Sequence, residues 1–220
     1  PSEYLAAMRI ARFISSDGHA LTGRLIDERT AEPIDGDIFG RHTFSGLRVS
    51  IARLLAPVSP PNIFAIGRNY AAHARETGSQ VPEAPLIFIK ATTSVLDPGG
   101  AIVLPAPAPN EVDFEAELAI VIGRRAKDVS ESDALECVLG YTCANDVSAR
   151  DCQRNDKQWA RAKGFDTFCP LGPWIVTRDE LDPARCAIRS RLNGVVMQDS
   201  STSDMIHPCA KLVSHVSHQF

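Results

Sequence analysis

Between Asn110 and Gly123 the chain reads NEVDFEAELAIVIG, with apolar residues at every second position: Val112, Phe114, Ala116, Leu118, Ile120 and Ile122. A period of two predicts a strand with one buried face. The opposite face carries Glu111, Asp113, Glu115 and Glu117 before it turns apolar at Ala119 and Val121. Upstream, IFAIG at 63–67 reads as a short buried strand that runs into RNYAAHARETG, where Ala71, Ala72 and Ala74 favour helix and Gly78 supplies a stop. Downstream, Ser130 followed by Asp133 ahead of ALECVL is a capping box and predicts a helix over 131–138. The aromatic and β-branched YTCA after it suggests a strand that ends in a turn at Asn145-Asp146. Near the start, RIARFI and LTGRLID are strand-like pieces broken by Asp-Gly and Gly, which predicts a small β-rich lobe over 1–58. The proline-rich APVSPPNI at 56–63 would interrupt any helix or central strand and sets the boundary, leaving 59–220 as the main domain.

Composition narrows the class. The chain has 220 residues, 44% of them hydrophobic, enough to bury a real core. Its formal charge is −4, and no basic stripe with interleaved aromatics occurs, so nucleic acid is not an expected partner. The six cysteines show no CxxC spacing and no signal peptide precedes them, which predicts reduced thiols in a cytoplasmic protein. Apolar runs such as LAIVIG fall far short of the roughly 18 residues of a membrane span. PSEYLAA, ahead of the periodic pattern that Met8 opens, is expected to be leader residues.

Carboxylates at i and i+2 on one strand face sit about 7 Å apart and repel one another. For Glu115 and Glu117 a solvated strand end would suffice; the alternative is a bound divalent cation, which needs further oxygen ligands. A strand-end Asp146 is a turn former or a third ligand, and the residues alone do not select it over Asp151 or Asp156. In a helix His73 and Glu76 share a face at i and i+3, either as an exposed polar pair or as an imidazole oriented by a carboxylate to take a proton from water. Arg154, Lys157 and Arg161, at i, i+3 and i+7, form a basic helix face, solvated or attracting a dianionic substrate. His207, His215 and His218 are read as surface residues, and SQVPEAP at 79–85 as a lid loop.

Six stretches taken together, GRNYAAHARETG, PLIFIKATTSV, NEVDFEAELAIVIGRRAKDVS, GYTCANDVSARDCQ, KGFDTFCPLGPWIVTRDEL and LNGVVMQDSSTSDMI, resemble the fumarylacetoacetate hydrolase family. They lie in the family's order across most of residues 62–206. The resemblance implies an α+β fold, a β-rich mixed sheet roll with peripheral helices, here carrying a small N-terminal β lobe. It implies a homodimer and a bound Mg²⁺ or Mn²⁺, with Ca²⁺ a further option, held by Glu115, Glu117 and Asp146. It makes His73 and Glu76 a dyad on a helix that covers the substrate, Lys163 the active-site lysine, Arg150 and Gln153 substrate contacts, and Lys90 a further cation near the site.

Members of the family act on small 2-oxo acids. The expected activity is metal-dependent C–C hydrolysis of acylpyruvates through a stabilised enolate. Isomerisation or hydration of unsaturated 2-oxo diacids and decarboxylation of oxaloacetate are the alternatives on the same site. A non-catalytic ion-binding scaffold is the alternative of another class, and the joint presence of His73, Glu76, Lys163 and three carboxylates argues against it. The family continues beyond KLVSHVSHQF with a strand, a Pro-Gly-Asp turn and a Gly-Thr-Pro stretch that helps bind substrate. Because that amphipathic pattern ends with no cap, the sequence is expected to be part of a longer protein.

Overall fold

The structure is a computed structural model that describes residues 8–72 and 81–220. Five strands open the chain: β1 (Arg9–Ser15), β2 (Ala20–Leu25), β3 (Thr30–Gly36), β4 (His42–Phe44) and β5 (Val49–Leu55). After the proline-rich joint come β6 (Ile63–Gly67), β7 (Leu86–Lys90), β8 (Val95–Leu96), β9 (Val112–Asp113), β10 (Ala116–Ile122), β11 (Val138–Asn145), β12 (Ser148–Ala149), β13 (Cys169–Thr177), β14 (Ala187–Leu192) and β15 (Val195–Ser201). The main sheet runs β10-β11-β13-β1-β2-β3-β4, with β5 also pairing β1 and β3. The N-terminal strands therefore extend the same sheet as the rest of the chain, through Arg9 opposite Val176 and Ile10 opposite Ile175. This is the α+β, sheet-rich architecture that the family resemblance implies. The six cysteines carry free thiols, and among the described residues no helix is long and apolar enough to cross a membrane.

The alternating segment departs from a plain one-faced strand. It is divided into β9 and β10, and both faces of β10 are covered. Leu118 and Ile120 pack on the cluster of Val138, Tyr141, Cys209 and Val213, which brings in the helix Cys209–Gln219. Val121, from the face that starts acidic, packs with Met8, Ile10, Ile34 and Ile175. Only Ile122 at the end of the strand is exposed, at 43%. The helix Cys209–Gln219 covers one set of alternate residues, and residues of β1, β3 and β13 in the same sheet cover the other.

Three other expectations change. The capping serine holds: Ser130 Oγ accepts from the Asp133 N–H at 3.2 Å. The α-helix it starts, however, covers only Glu131–Ala134 and tightens to a 3₁₀ turn at Leu135–Cys137 before β11. The basic face at 154, 157 and 161 is not one face, because Lys157 adopts a left-handed φ of 58° that separates the helices Arg150–Asp156 and Trp159–Gly164. Arg154 and Arg161 instead pair with Glu111 and Asp156. His207 is not a surface residue: it is 5% exposed. Its backbone N–H donates to Asn69 Oδ1 and its carbonyl accepts from Asn69 Nδ2, both at 2.9 Å. This places the chain before Ala71 and Ala72, which are helical, against the segment at 204–207, where Asp204 also accepts from the Ala72 N–H at 2.7 Å. The remainder of that predicted helix, and the first two residues of the proposed lid loop, lie outside the described residues.

Candidate active site

Pairing of β10 with β11 sets Ala116 opposite Asn145 and Glu117 opposite Ala144. Just beyond that register the Asp146 N–H donates to the Glu115 carbonyl at 2.9 Å, and the Glu115 N–H to Asn145 Oδ1 at 3.0 Å. Two carboxylates 31 positions apart in sequence are thus fixed side by side at one end of the sheet.

Lys163, on the helix Trp159–Gly164, reaches into the gap between them. Its ammonium donates to Glu115 Oε2 at 2.8 Å, Asp146 Oδ2 at 2.7 Å and Ser148 Oγ at 2.7 Å. A lysine ammonium has three donors, and all three are used. Lys90, at the end of β7, is 3% exposed and holds the other oxygen of Asp146 at 2.5 Å while donating to the Lys163 carbonyl. Arg150 spans Asp113 Oδ2 (2.8 Å), Glu115 Oε1 (2.7 Å) and Gln153 Oε1 (3.0 Å). The residues expected as substrate contacts are therefore gathered here, but Lys90 and Arg150 spend their charge bracing Asp146 and Glu115.

The two glutamates of the EAE stretch differ in charge environment. Burial raises the pKa of Glu115, yet the Lys163 and Arg150 charges outweigh it and hold the group below its ordinary value. Glu117 has no cation paired with it among the described residues. Burial, followed by the charges of Glu115 and Asp146, pushes it up to about 8. Tyr70 faces the same region: burial and then the Glu117 charge push its phenol up, so it stays a neutral donor. Tyr70 and Ser148 were not singled out by sequence reasoning. The signals were their places, three residues before His73 and two after Asp146. His73 and Glu76 themselves lie outside the described residues.

The expected divalent ion can be tested against this donor set. Among the described residues no three acidic, histidine or cysteine side chains stand ready to hold a metal ion as they are, and Lys163 occupies oxygens of two of the three carboxylates. The chemistry nonetheless fits: Glu115, Glu117 and Asp146 offer only hard oxygen donors, the preference of Mg²⁺, Mn²⁺ or Ca²⁺. Glu117 is half-buried with no cation paired to it among the described residues, and such an ion would balance its ionised form.

A family model described as Fumarylacetoacetate (FAA) hydrolase C-terminal matches residues 62–220, and one described as Rv2993c-like, N-terminal matches residues 8–57. Protein Rv2993c of Mycobacterium tuberculosis is 48% identical over 218 residues, covering 96% of this chain and 82% of that protein. The mitochondrial oxaloacetate tautomerase FAHD2A of Bos taurus is 48% identical over 167 residues, 74% of this chain; the match spans only 53% of that protein. The crystal structure of 2-hydroxyhepta-2,4-diene-1,7-dioate isomerase from Mycobacterium marinum superposes with a TM-score of 0.86 at 43% identity, covering 97% of this chain and 82% of that one. The chain belongs to the fumarylacetoacetate hydrolase family.

Proposed function

We propose that this protein is a divalent-metal-dependent enzyme that moves a proton between carbon and oxygen on small 2-oxo acids, a keto–enol tautomerase or isomerase. The observation that carries the reading is the buried Lys163 ammonium shared by two of three clustered carboxylates. The names of the similar proteins, an oxaloacetate tautomerase and a dienedioate isomerase, support it.

Removing a proton from C3 of a 2-oxo acid sends negative charge to the 2-oxo oxygen, so the site must stabilise an enolate. When a substrate anion enters, the Lys163 ammonium exchanges a carboxylate contact for that oxygen and donates a hydrogen bond to it. Lys90 and Arg150 keep Asp146 and Glu115 in place meanwhile, and Ser148 holds Lys163. Tyr70 Oη is a second donor, uncharged, on the Glu117 side. Glu115, Glu117 and Asp146 are the residues that would hold Mg²⁺ or Mn²⁺, which when bound supplies Lewis-acid polarisation of the 2-oxo group. The proton carrier is assigned to His73, oriented by Glu76, on the family resemblance. Acylpyruvate hydrolysis and oxaloacetate decarboxylation would use the same enolate. Hydrolysis additionally needs an activated water, and no feature of the described site favours it over proton transfer.

The test is a panel of enol oxaloacetate, an unsaturated 2-oxo diacid and acylpyruvates, each assayed with Mg²⁺, with Mn²⁺ and with chelator. Proton transfer faster than bond cleavage, lost in chelator, is expected. Cleavage of acylpyruvates as the dominant activity would replace this reading with the hydrolase, and metal binding with no turnover would make the protein an ion-binding scaffold.

A further inference from the structure

The three carboxylates of the site are not held alike. Asp146 is bound by Lys90 and Lys163, and Glu115 by Lys163 and Arg150. Glu117 is paired with no cation among the described residues, so its place depends on the backbone of β10.

That strand stands at one end of the main sheet. On its inner side it pairs with β11, Ala116 opposite Asn145 and Glu117 opposite Ala144. Its outer side is an edge among the described residues, where a backbone N–H needs an acceptor from elsewhere. The Ala116 N–H, set between the two glutamates, donates to Gln198 Oε1 at 2.9 Å. The same oxygen accepts from Ser190 Oγ at 2.8 Å.

Gln198 belongs to the hairpin β14–β15, a separate two-stranded sheet in which Ser190 stands opposite it. Val195, Val196, Met197 and Asp199 around it are exposed, and Gln198 alone of that run is half-buried. A polar side chain turned inward among exposed apolar neighbours reverses the usual sorting, and the two donors that meet its oxygen account for the reversal. The hairpin is itself anchored. At its base the Cys186 N–H donates to Thr202 Oγ1 at 2.8 Å and the Thr202 N–H to the Cys186 carbonyl at 2.9 Å. Beyond Thr202 the chain runs to Asp204 and His207, which hold Ala72 and Asn69 on either side of Tyr70. The segment 198–207 thus joins the acidic strand to the chain that carries Tyr70.

We propose that Gln198 is a positioning residue of the site: by accepting the Ala116 N–H it fixes the β10 backbone between Glu115 and Glu117, so that both carboxylates meet the same divalent ion. The proposal rests on the reading above in which Glu115, Glu117 and Asp146 hold that ion, and adds the brace on the outer side of the strand. Mg²⁺ demands near-ideal octahedral geometry, so a displaced ligand weakens binding. Gln198 acts through the backbone, where Lys90 and Arg150 act on side chains.

The experiment compares wild type with Gln198→Met, Gln198→Asn and Gln198→Glu, and takes Arg189→Met, which loses an exposed pair with Asp199, as the control in the same hairpin. Met removes the acceptor at similar length, Asn withdraws it by about 1.5 Å, and Glu keeps an acceptor oxygen for both donors. Mg²⁺ affinity is measured by calorimetry without substrate, and amide hydrogen exchange at 115–117 in chelator. Gln198→Met should weaken Mg²⁺ binding by about tenfold or more, as for loss of an outer partner of a ligand, and speed exchange at 115–117. Gln198→Asn should change both in the same direction. Gln198→Glu and Arg189→Met should bind Mg²⁺ no more than about threefold more weakly than wild type. Faster exchange in Gln198→Met with unchanged Mg²⁺ affinity would make Gln198 a structural residue of the hairpin and overturn the proposal. Unchanged exchange, or a Gln198→Glu as weak as Gln198→Met, overturns it too. If Gln198→Met does not fold, Gln198→Asn gives the same decision. A wild type that binds no Mg²⁺ sinks the metal reading alone, since exchange at 115–117 still decides whether Gln198 holds the strand.

Discussion

The ion pairs around Asp146 and those along the outer elements are made from the same side chains in very different surroundings. In the site, the side chains of Lys90, Lys163, Glu115 and Asp146 are 3%, 4%, 18% and 12% exposed. On the outside, Arg189 with Asp199 and Arg154 with Glu111 have nearly the same N–O distance, 2.7 Å, but every partner is about half exposed or more. Water screens the outer pairs and would solvate either partner if the other were removed. The inner charges have no such reserve. Each survives burial only because its neighbours are in place, and deleting one leaves the others unpaired in a poor solvent for charge. Distance alone does not separate a functional charge from an ornamental one; burial and shared partners do.

The sharpest way to break this contrast is Lys163→Met. It keeps length and apolar volume while leaving Glu115, Asp146 and Ser148 without their common donor. Proton transfer should fall by about 10²-fold or more, the size of an electrostatic contribution at a developing oxyanion. In chelator the unfolding free energy should also drop, by about 3 kcal/mol or more. Activity within about threefold of wild type, well under 1 kcal/mol in the transition state, would show Lys163 to be a structural residue.

Lys90→Met sharpens the contrast by separating bracing from chemistry. Lys90 is 3% exposed and donates to Asp146 and to the Lys163 carbonyl. Stability should fall by about 2 to 4 kcal/mol, and Mg²⁺ should bind about 10- to 100-fold more weakly, the usual effect of losing an outer partner of a ligand. At saturating Mg²⁺ kcat should recover more than in Lys163→Met. Equal and unrecoverable loss of kcat in both variants would mean that Lys90 works directly on the reacting atoms.

Glu117→Gln moves stability in the other direction. The folded pKa of Glu117 is raised from 4.5 to about 8, so between those values the folded protein keeps a proton that the unfolded chain has released. By linkage, metal-free stability falls as pH rises through that window. Gln cannot ionise, so the variant should lose that pH slope and, at pH 8 in chelator, be more stable by up to about 4 kcal/mol, at about 2–4 °C in Tm for each kcal/mol. Mg²⁺ affinity should drop at the same time. A wild type whose Tm in chelator stays flat between pH 5 and 8 would remove Glu117 as the uncompensated charge.

How far the sequence could reveal this site depended on which residues carry a local pattern. Glu115 and Glu117 were visible because strand geometry puts i and i+2 on one face, and Ser130 with Asp133 because a cap is a local motif. Asp146 was legible as a turn residue, and its meeting with Glu115 depends on the β10–β11 register, which no window of sequence contains. The same holds for Lys90 and Arg150: their types announced charge near the site, while their roles as braces follow from partners 56 and 35 positions away. The second buried face of β10 was hidden because a strand covered on both sides, by a helix and by distant strands, obeys no single alternation. His207 was misread for a related reason, since its burial comes from Asn69, 138 positions earlier. The sequence pattern for a basic face at 154, 157 and 161 assumed a continuous helix, and a left-handed Lys157 removes that assumption.

The outer pair supplies the smallest expected effect and the control for all the rest. Arg154 meets Glu111 at 2.7 Å, bridging 43 positions, with side chains 61% and 49% exposed. By contact distance it is indistinguishable from Lys163 with Asp146. Its Coulomb energy is nevertheless screened by water, and ordering two long side chains costs entropy, so exposed pairs contribute about 0.2 to 1 kcal/mol. Arg154→Met should therefore lower the unfolding free energy by no more than about 1 kcal/mol. Whatever difference there is should shrink further at about 1 M salt, where the Debye length is near 3 Å. The same salt should leave the Lys163→Met deficit nearly intact, because ions cannot enter between buried partners. Measuring both variants at low and high salt gives the comparison in four numbers. An Arg154→Met loss above 2 kcal/mol, or a Lys163→Met loss that disappears in salt, would show that burial is not what divides the two groups.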